Sequence, residues 1–259
     1  MKVIVLCGGM GTRLREETEY KPKPMVEIGG KPILWHIMKH YAFHGFKEFV
    51  LALGYKGDII RDYFINYYKY NSNITIDLKN GGEIEFHDRE ILDDWKITLA
   101  ETGDDSMTGY RTRLAGEFVD SDIFMLTYGD AVCSVDIGEL VAFHRNHGLM
   151  ATVTGVFPPS RFGDLTVEGD RVTRFKEKLI DYDNGSPING GYFVFNREFL
   201  TMLPDDPTAD LEREPMNLLV ERGELVVFRH KGFWHSMDTY RDYLHLNKLW
   251  RENPPWKIW

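Results

Sequence analysis

The sequence predicts an α/β fold, with a Rossmann-like, mixed and mostly parallel sheet flanked by helices. Short apolar runs rich in β-branched residues alternate with amphipathic stretches in the first half of the chain. The links between them are short, which favours parallel strands joined by right-handed crossovers. With 259 residues, of which 43 % are hydrophobic, the chain is long enough to bury a sizeable core.

Each element is predicted from its own local signals. The first strand is β-branched and ends at glycine, and the first helix has Pro32 near its first turn and Gly45 after its end. Strands are predicted, in chain order, at residues 2–7, 47–53, 122–128, 150–157, 163–167, 171–176, 190–196 and 224–230. Helices are predicted at residues 32–44, 57–70, 109–118, 136–147, 210–222 and 239–251, the last forming a C-terminal helical segment.

One segment departs from this alternation. Residues 74–87 contain two short alternating runs on either side of an Asn-Gly-Gly turn, which predicts a small β hairpin inserted into the α/β framework. The sequence has no internal repeat, low-complexity run or long linker. We therefore expect residues 1–259 to form a single domain.

Composition excludes several classes of partner. The formal net charge is −9, and nucleic acids and anionic membrane surfaces both require a basic face. No apolar segment is long enough to span a membrane, and glycines interrupt the apolar start before it can form a signal peptide. The two cysteines, Cys7 and Cys133, lie in apolar surroundings, which predicts buried free thiols and a reducing, cytoplasmic location.

A glycine-rich turn follows the first predicted strand. It reads GGMGTR at residues 8–13, and ligands of open α/β sheets collect at this end of the strands. Glycines let backbone N–H groups converge on an anion, and Arg13 adds a donor fork suited to phosphate. The turn matches neither the Walker nor the Rossmann glycine pattern. Phosphate binding is the favoured interpretation, and a tight turn that merely requires glycine is the alternative.

Lysines follow in a stiff, extended stretch. Residues 21–34 read KPKPMVEIGGKPIL, and a residue before proline is pushed out of the α region. Lys21, Lys23 or Lys31 could therefore place an ammonium on the same phosphate. A solvated basic loop is the alternative that the residues alone leave open.

Taken together, these motifs resemble those of the sugar nucleotidyltransferases, the NDP-sugar pyrophosphorylases. The N-terminal signature reads LCGGMGTRL followed by KPKPMVEIGGKPIL. Further segments resemble the glucose-1-phosphate cytidylyltransferase branch of this family: ETGDDSMTGYRTRL, FMLTYGDAV, FPPSRFGDL, INGGYFVF and GFWHSMDTYRD. The resemblance spans nearly the whole chain and implies transfer of the cytidylyl group of CTP to α-D-glucose 1-phosphate, giving CDP-glucose and pyrophosphate.

The resemblance also implies residue roles in the nucleotide half, about residues 1–135. Arg13 and Lys23 are the expected catalytic residues, which bind the leaving phosphates and the α-phosphate. Nucleotide contacts are expected from Leu6, Gly8, Gly9, Gly11, Thr12, Arg13, Lys23, Ser106, Thr108 and Arg111. The last three belong to a loop rich in small polar groups that could pair with the edge of a base, but composition alone does not select cytosine.

Two carboxylates are the expected ligands of Mg²⁺. Asp130 follows a buried strand at the ligand-binding edge, and Asp238 precedes the last predicted helix. Asp is also a good helix N-cap, so the residues alone leave that structural role open for Asp238. The family resemblance places a metal ligand at both positions, and oxygen donors suit Mg²⁺.

The second half, about residues 136–259, is expected to bind the sugar phosphate. The implied contacts are Tyr128, Gly129, Glu177, Lys178, Asn189 and Gly190. The family pattern usually has proline after the Glu-Lys pair, whereas this chain has Leu179, and the loop at 180–187 also differs. A cytidylyltransferase acting on another phosphorylated substrate therefore remains an alternative, as does, less favourably, an enzyme that uses dTTP or UTP.

Two further classes are weighed against an enzyme of this family. A non-catalytic nucleotide-binding regulator would be expected to lack a catalytic group, yet Arg13, Lys23, Asp130 and Asp238 are all present. A dinucleotide-dependent oxidoreductase would require an acid at the end of the second strand, which instead ends Ala-Leu-Gly. The resemblance also implies a homo-oligomer, with a hexamer as one option, and a product used for cell-surface polysaccharide such as O-antigen.

Overall fold

The computed structural model describes residues 1–9, 14–87, 93–158, 164–176 and 186–259. Its strands are β1 (Val3–Leu6), β2 (Glu27–Ile28), β3 (Lys31–Pro32), β4 (Glu48–Leu53), β5 (Ile74–Asp77), β6 (Glu83–Phe86), β7 (Lys96–Glu101), β8 (Ile123–Tyr128), β9 (Ala131–Cys133), β10 (Ala151–Val156), β11 (Asp164–Glu168), β12 (Arg171–Lys176), β13 (Ile188–Asn196), β14 (Leu225–His230) and β15 (Trp234–Ser236). Its helices are α1 (Arg15–Thr18), α2 (Ile33–Phe43), α3 (Gly57–Ile65), α4 (Tyr67–Asn71), α5 (Thr108–Gly116), α6 (Ile137–His147), α7 (Glu214–Glu221) and α8 (Tyr240–Glu252).

Seven strands form the central sheet, in the order β14-β10-β13-β8-β1-β4-β7. The pairs β8–β1, β1–β4, β4–β7 and β10–β14 are parallel, whereas β13 runs antiparallel to both β8 and β10. The predicted mixed, mostly parallel sheet is therefore confirmed. Because strands from both halves of the chain hydrogen-bond side by side, one sheet carries the expected nucleotide half and the expected sugar-phosphate half.

The sheet is buried on both faces. Val3 and Val5 of β1 pack with α2, α6 and α8, whereas Ile4 and Leu6 pack on the opposite face with α5 and α7. Alternate residues of a strand point to opposite faces, so the continuous apolar run of β1 is what a doubly covered parallel strand requires. No helix in the described ranges combines the length and apolarity needed to cross a bilayer.

Most predicted elements are present, with shifted ends. The hairpin is confirmed, since β5 and β6 pair antiparallel across the Asn-Gly-Gly turn. The helix predicted at 57–70 is divided at Asn66 into α3 and α4. The edge strand β7 was not predicted, although its sequence KITLAE begins with alternating polar and apolar residues. The short pair β9–β15 was also not predicted, and this pair brings the region before α8 next to the end of β8.

Candidate active site

A cavity of about 300 Å³ opens at the carboxyl ends of β1 and β8. This is the edge at which an open α/β sheet binds its ligands. The cavity brings together residues that are far apart in the sequence but were predicted as one site: Leu6, Gly8, Gly9, Lys23, Thr108, Tyr128, Gly129, Asp130 and Asp238. Cys7 and Pro24 complete its lining.

Lys23 lines this cavity and joins its two carboxylates. Its ammonium Nζ is 2.5 Å from Oδ2 of Asp130 and 2.8 Å from Oδ1 of Asp238. Burial alone would lower the pKa of Lys23, but the negative charge of Asp130 and the hydrogen bonds to both carboxylates outweigh it and raise that pKa. Lys23 is therefore a charged donor held between two acids, and the predicted catalytic lysine and predicted metal ligands meet in one cluster.

Backbone stiffness places Lys23 in the cluster. The residue opens a short 3-10 turn in which Met25 N–H donates to Pro22 O and Val26 N–H donates to Lys23 O. Pro22 and Pro24 have fixed φ angles, and a residue before proline is itself restricted, so few backbone conformations are open to Lys23. The sequence expectation of an extended, proline-stiffened lysine is thus modified, because the turn rather than an extended segment aims Nζ inward.

Close backbone packing places Asp130. Gly129 N–H donates to Leu6 O at 3.1 Å, which joins the ends of β8 and β1. A Cβ on Gly129 would lie 2.8 Å from Leu6 O and 2.9 Å from Pro24 Cγ. Only glycine fits between these atoms, so Asp130 is delivered to the same edge of the sheet as Gly8 and Gly9.

Asp238 reaches the cluster from the other half of the chain. Met237 N–H donates to the backbone carbonyl of Asp130 at 2.8 Å, which ties the residue before Asp238 to the main chain at Asp130. The N-cap of α8 is Thr239, which forms a capping box with Asp242. The alternative interpretation of Asp238 as the cap is therefore wrong. Its carboxylate accepts from Lys23 and from the Ser236 hydroxyl instead.

Arg111, a predicted base contact, is buried with its guanidinium directed at the protein. Nε donates to Ser106 O at 2.8 Å, and Nη2 donates to Asp104 O at 3.0 Å. Nη1 donates to Leu53 O at 3.0 Å and to the Thr102 hydroxyl at 2.9 Å. The side chain is only 2 % exposed and so closely packed that a Cβ on Gly8 would collide with it. In the structure Arg111 fixes the 102–106 loop and packs against the backbone of Gly8.

Thr108 and Ser106 differ in their exposure to the cavity. Thr108 lines it, at the start of α5, whereas the Ser106 hydroxyl donates back to carbonyls of Thr102 and Gly103. The Thr108 hydroxyl lies 2.8 Å from Glu212 Oε2 and 3.2 Å from Asp210 Oδ1, and it accepts from Leu211 N–H at 2.9 Å. Thr108 is therefore the member of the predicted base loop that both faces the cavity and has a fixed orientation.

Tyr128 forms the opposite connection to Glu212. Its hydroxyl donates to Glu212 Oε1, and its ring covers Gly191, where a Cβ would lie 2.5 Å from a ring carbon. Asn189 also hydrogen-bonds the Tyr128 side chain. Gly190 O accepts from the indole N–H of Trp234 at 2.8 Å. The predicted sugar-side residues Tyr128, Asn189 and Gly190 are thus neighbours at the end of β8 and the start of β13.

Sequence reasoning missed Glu212. Its carboxylate joins Thr108 to Tyr128, and burial followed by the adjacent Asp210 raises the pKa of Glu212. An acidic residue just before a helix is common, so the sequence carried no signal that would single it out.

Several predictions cannot be placed. Gly11, Thr12, Arg13, Glu177 and Lys178 lie outside the described residues. The expected free thiols are confirmed, since Cys7 and Cys133 are both buried and unbonded to each other. Burial raises the pKa of Cys133 to about 12 and that of Cys7 still further, so neither is a nucleophile. The Nε2 atoms of the helical pair His36 and His40 donate to the backbone carbonyls of Ile28 and Val135, and the pair makes no metal site with other described residues.

A doubly covered α/β sheet with a part-buried lysine and two carboxylates at its ligand edge is the arrangement in which such sheets bind small ligands. The chain belongs to the nucleotidyl transferase family, which it matches over residues 2–253. This finding confirms the predicted family and enzyme class.

Relatives match the chain from end to end. It is 47 % identical over 261 residues to the glucose-1-phosphate cytidylyltransferase of Salmonella typhi, covering 100 % of both chains. It is 43 % identical over 260 residues to the probable glucose-1-phosphate cytidylyltransferase of Bacillus subtilis, again covering 100 % of both. The crystal structure of HddC from Yersinia pseudotuberculosis superimposes with a TM-score of 0.68 at 21 % identity, covering 95 % of this chain and 98 % of that one, which supports the fold.

Proposed function

We propose that this protein transfers the cytidylyl group of CTP to α-D-glucose 1-phosphate, forming CDP-glucose and pyrophosphate. The observation that carries the proposal is the match of 47 % identity across the full length of a relative with that activity in its name. The cluster of Lys23 with Asp130 and Asp238 supplies the chemistry that such a transfer needs.

In this reaction a phosphate oxygen of glucose 1-phosphate attacks the α-phosphorus of CTP. The new O–P bond forms as the bond from the α-phosphorus to the bridging oxygen of pyrophosphate breaks, and the electron pair leaves with pyrophosphate. Catalysis requires alignment and stabilisation of the negative charge that spreads over the phosphoryl oxygens. We assign the α-phosphate to Lys23 and the leaving phosphates to Arg13.

Asp130 and Asp238 are the proposed ligands of a Mg²⁺ ion. The fit is chemical: the two carboxylates contact the same ammonium, so they lie close enough to share one cation, and they offer hard oxygen donors. Phosphate oxygens and water would complete the set of oxygen ligands around the ion. A bound Mg²⁺ would neutralise phosphate charge, and Lys23 would donate to the substrate phosphate.

The remaining predicted contacts divide between the two substrates. On the nucleotide side, backbone of Leu6, Gly8, Gly9 and Gly11 with Thr12 borders the triphosphate, and the Ser106–Arg111 segment borders cytosine. The hydrogen bonds of Arg111 support a role in shaping this segment in addition to any contact with the base. On the sugar side we assign Tyr128, Gly129, Glu177, Lys178, Asn189 and Gly190.

We also propose a homo-oligomeric, cytoplasmic enzyme whose product enters cell-surface polysaccharide synthesis. Two buried free cysteines are compatible with a reducing compartment. Exposed apolar side chains on α3, α4 and the β5–β6 hairpin, including Ile65, Tyr70 and Leu78, provide surface that an oligomer could cover.

The test is pyrophosphate release in the presence of Mg²⁺, with CTP, UTP, dTTP, ATP and GTP each paired with glucose 1-phosphate. We expect release with CTP to exceed that with each of the others. If glucose 1-phosphate fails with all five, the same nucleotides are paired with other sugar 1-phosphates, and turnover there would replace the proposed sugar. Tight CTP binding without turnover on any substrate would favour a nucleotide-binding regulator.

A further inference from the structure

Residues 207–212 form a strap across the start of α5. Met107 N–H donates to Pro207 O at 2.8 Å, and Gly109 N–H donates to Ala209 O at 2.9 Å. A Cβ on Gly109 would lie 2.9 Å from Ala209 O, so the strap lies directly against the helix. These backbone contacts therefore fix the position of the strap, and its two carboxylates, Asp210 and Glu212, lie beside Thr108.

The Thr108 hydroxyl faces both of these carboxylates. Glu212 Oε2 is 2.8 Å away and Asp210 Oδ1 is 3.2 Å away. A carboxylate oxygen accepts hydrogen bonds, so the single hydrogen of the hydroxyl is directed to the pair. Even when the neighbouring acids share a proton, the other carboxylate remains available to accept. The hydrogen of Thr108 is thus directed away from the cavity that the residue lines.

The oxygen of Thr108 is then left with acceptor capacity only. One lone pair accepts from Leu211 N–H at 2.9 Å, and the other remains for a group in the cavity. Cytosine presents a 4-amino donor at the position where uracil and thymine present an oxygen acceptor. A hydroxyl that can only accept matches the amino group and repels the oxygen.

Tyr128 anchors the arrangement. Its hydroxyl donates to Glu212 Oε1, the other oxygen of the same carboxylate, and its ring is held over Gly191. Glu212 is therefore fixed from two elements, the end of β8 and the start of α5, and cannot rotate to release Thr108 without losing both bonds. The attachment to Thr108 and Tyr128 distinguishes Glu212 from Glu214 two residues further on, although both residues are exposed.

We propose that Glu212 is a positioning residue for nucleotide specificity, which orients the Thr108 hydroxyl as an acceptor for the 4-amino group of cytosine. The proposal rests on the proposed function, since it assigns the base to the Thr108 side of the cavity. Glu212 itself touches no substrate in this assignment; it acts through Thr108.

The experiment compares kcat/KM for CTP with kcat/KM for UTP, at fixed glucose 1-phosphate, in wild type and Glu212→Gln. The amide of glutamine can donate to Thr108, which frees the threonine hydrogen for an acceptor on the base. We expect the CTP-to-UTP ratio to fall about fivefold to tenfold, the size of one neutral hydrogen bond. Glu214→Gln is the matched control and should keep the wild-type ratio.

Thr108 variants test whether Glu212 acts on specificity through the Thr108 hydroxyl. Thr108→Ser should keep the ratio, and Thr108→Val should lower it, because valine has the shape but not the oxygen. The double variant Thr108→Val with Glu212→Gln should lower the ratio no further than Thr108→Val alone. This non-additivity is what a residue acting through its neighbour requires, and the Thr108 pair also decides the matter if Glu212→Gln does not fold.

Two results would overturn the proposal. If folded Glu212→Gln, or Thr108→Val, retains the wild-type ratio, Glu212 has no role in specificity. If wild type turns over CTP no better than UTP, the proposed cytidylyltransferase function is wrong, and the role of Glu212 is wrong with it. If wild type prefers CTP but the variants keep that preference, only the role of Glu212 is wrong.

Discussion

Lys23 and Arg111 both place a buried cation beside the cavity, and they are neutralised in different ways. Lys23 is bound by two carboxylates on separate elements, whereas Arg111 donates to three carbonyls and one hydroxyl. A carboxylate can exchange one cation for another, whereas the Ser106 and Asp104 carbonyls held by Arg111 belong to the loop whose conformation the guanidinium fixes. The comparison separates a charge that is available for chemistry from one that maintains the shape of the site.

The largest expected effect is on catalysis. Lys23→Met should lower kcat by about 100-fold to 1000-fold, as the loss of one preorganised donor to a transition state does. The measurement is steady-state pyrophosphate release, with a thermal melt to show that the fold is retained. Lys21→Met, in the same segment, should stay near the wild-type rate. A Lys23→Met enzyme with the wild-type kcat would remove the lysine from the chemistry.

The next effect is on stability. Arg111→Met should lower the free energy of unfolding by about 2 kcal/mol or more, because it removes the guanidinium donor from the Ser106 and Asp104 carbonyls, at about 1–3 kcal/mol for each acceptor left unpaired. Urea titration measures this change. Arg113→Met, whose partner Asp205 is exposed, should cost less than about 1 kcal/mol. If Arg111→Met melts like wild type but has lost CTP binding, the guanidinium contacts substrate instead of supporting the loop.

Two buried histidines of α2, His36 and His40, differ from Lys23 and Arg111 because burial favours their neutral form. Burial lowers the pKa of His36 and of His40 to about 4, although backbone hydrogen bonds to each ring act in the opposite direction. The unfolded chain, with histidine pKa near 6.5, binds more protons between those values, so stability is full above pH 6.5 and is lost as pH falls toward 4.

Each of these histidines should contribute a slope of about 1.4 kcal/mol per pH unit in that window. Urea titrations at pH 7, 6 and 5 measure it, with His36→Gln and His40→Gln reducing the slope individually. A stability that stays constant from pH 7 to 5 would contradict the buried neutral state.

The smallest effect concerns metal affinity. With no nucleotide present, Lys23→Met should bind Mn²⁺ about tenfold more tightly than wild type, because the ammonium no longer competes for Asp130 and Asp238. Titration calorimetry or the Mn²⁺ electron spin resonance signal gives the dissociation constant. Adding Asp238→Asn to Lys23→Met should remove the gain. Equal or weaker binding by Lys23→Met would show that the two acids do not form a cation site.

Much of the fold was accessible from the sequence because its signals are local. The strand that ends at Gly8, the helix with Pro32 before it and the Asn-Gly-Gly hairpin were each predicted from a few adjacent residues. The edge strand β7 was missed because its alternation breaks at Leu99-Ala100 and its residues are mostly only partly buried.

The site was harder to predict from the sequence, because the residues in contact there are distant from one another in the chain. Lys23 is 107 residues from Asp130 and 215 from Asp238, so only the family resemblance placed them together. The inward direction of the Arg111 guanidinium depends on Gly8 and Gly54 having no side chains, which composition cannot reveal. Glu212 has no motif at all, and it emerges only when Thr108 and Tyr128 are seen to share it.

The support beneath the lysine segment comes from α8. Asn247 accepts from Gly29 N–H at 3.0 Å and donates to Glu27 O, and Trp250 packs so closely on Gly29 that a Cβ there would collide. These partners are 218 and 220 residues apart, so contact order is high at the point where the site is anchored. During synthesis, the contacts of the β2–β3 turn with α8 can therefore form only after almost the whole described chain has been made. The active site is for this reason among the last parts of the molecule to fold.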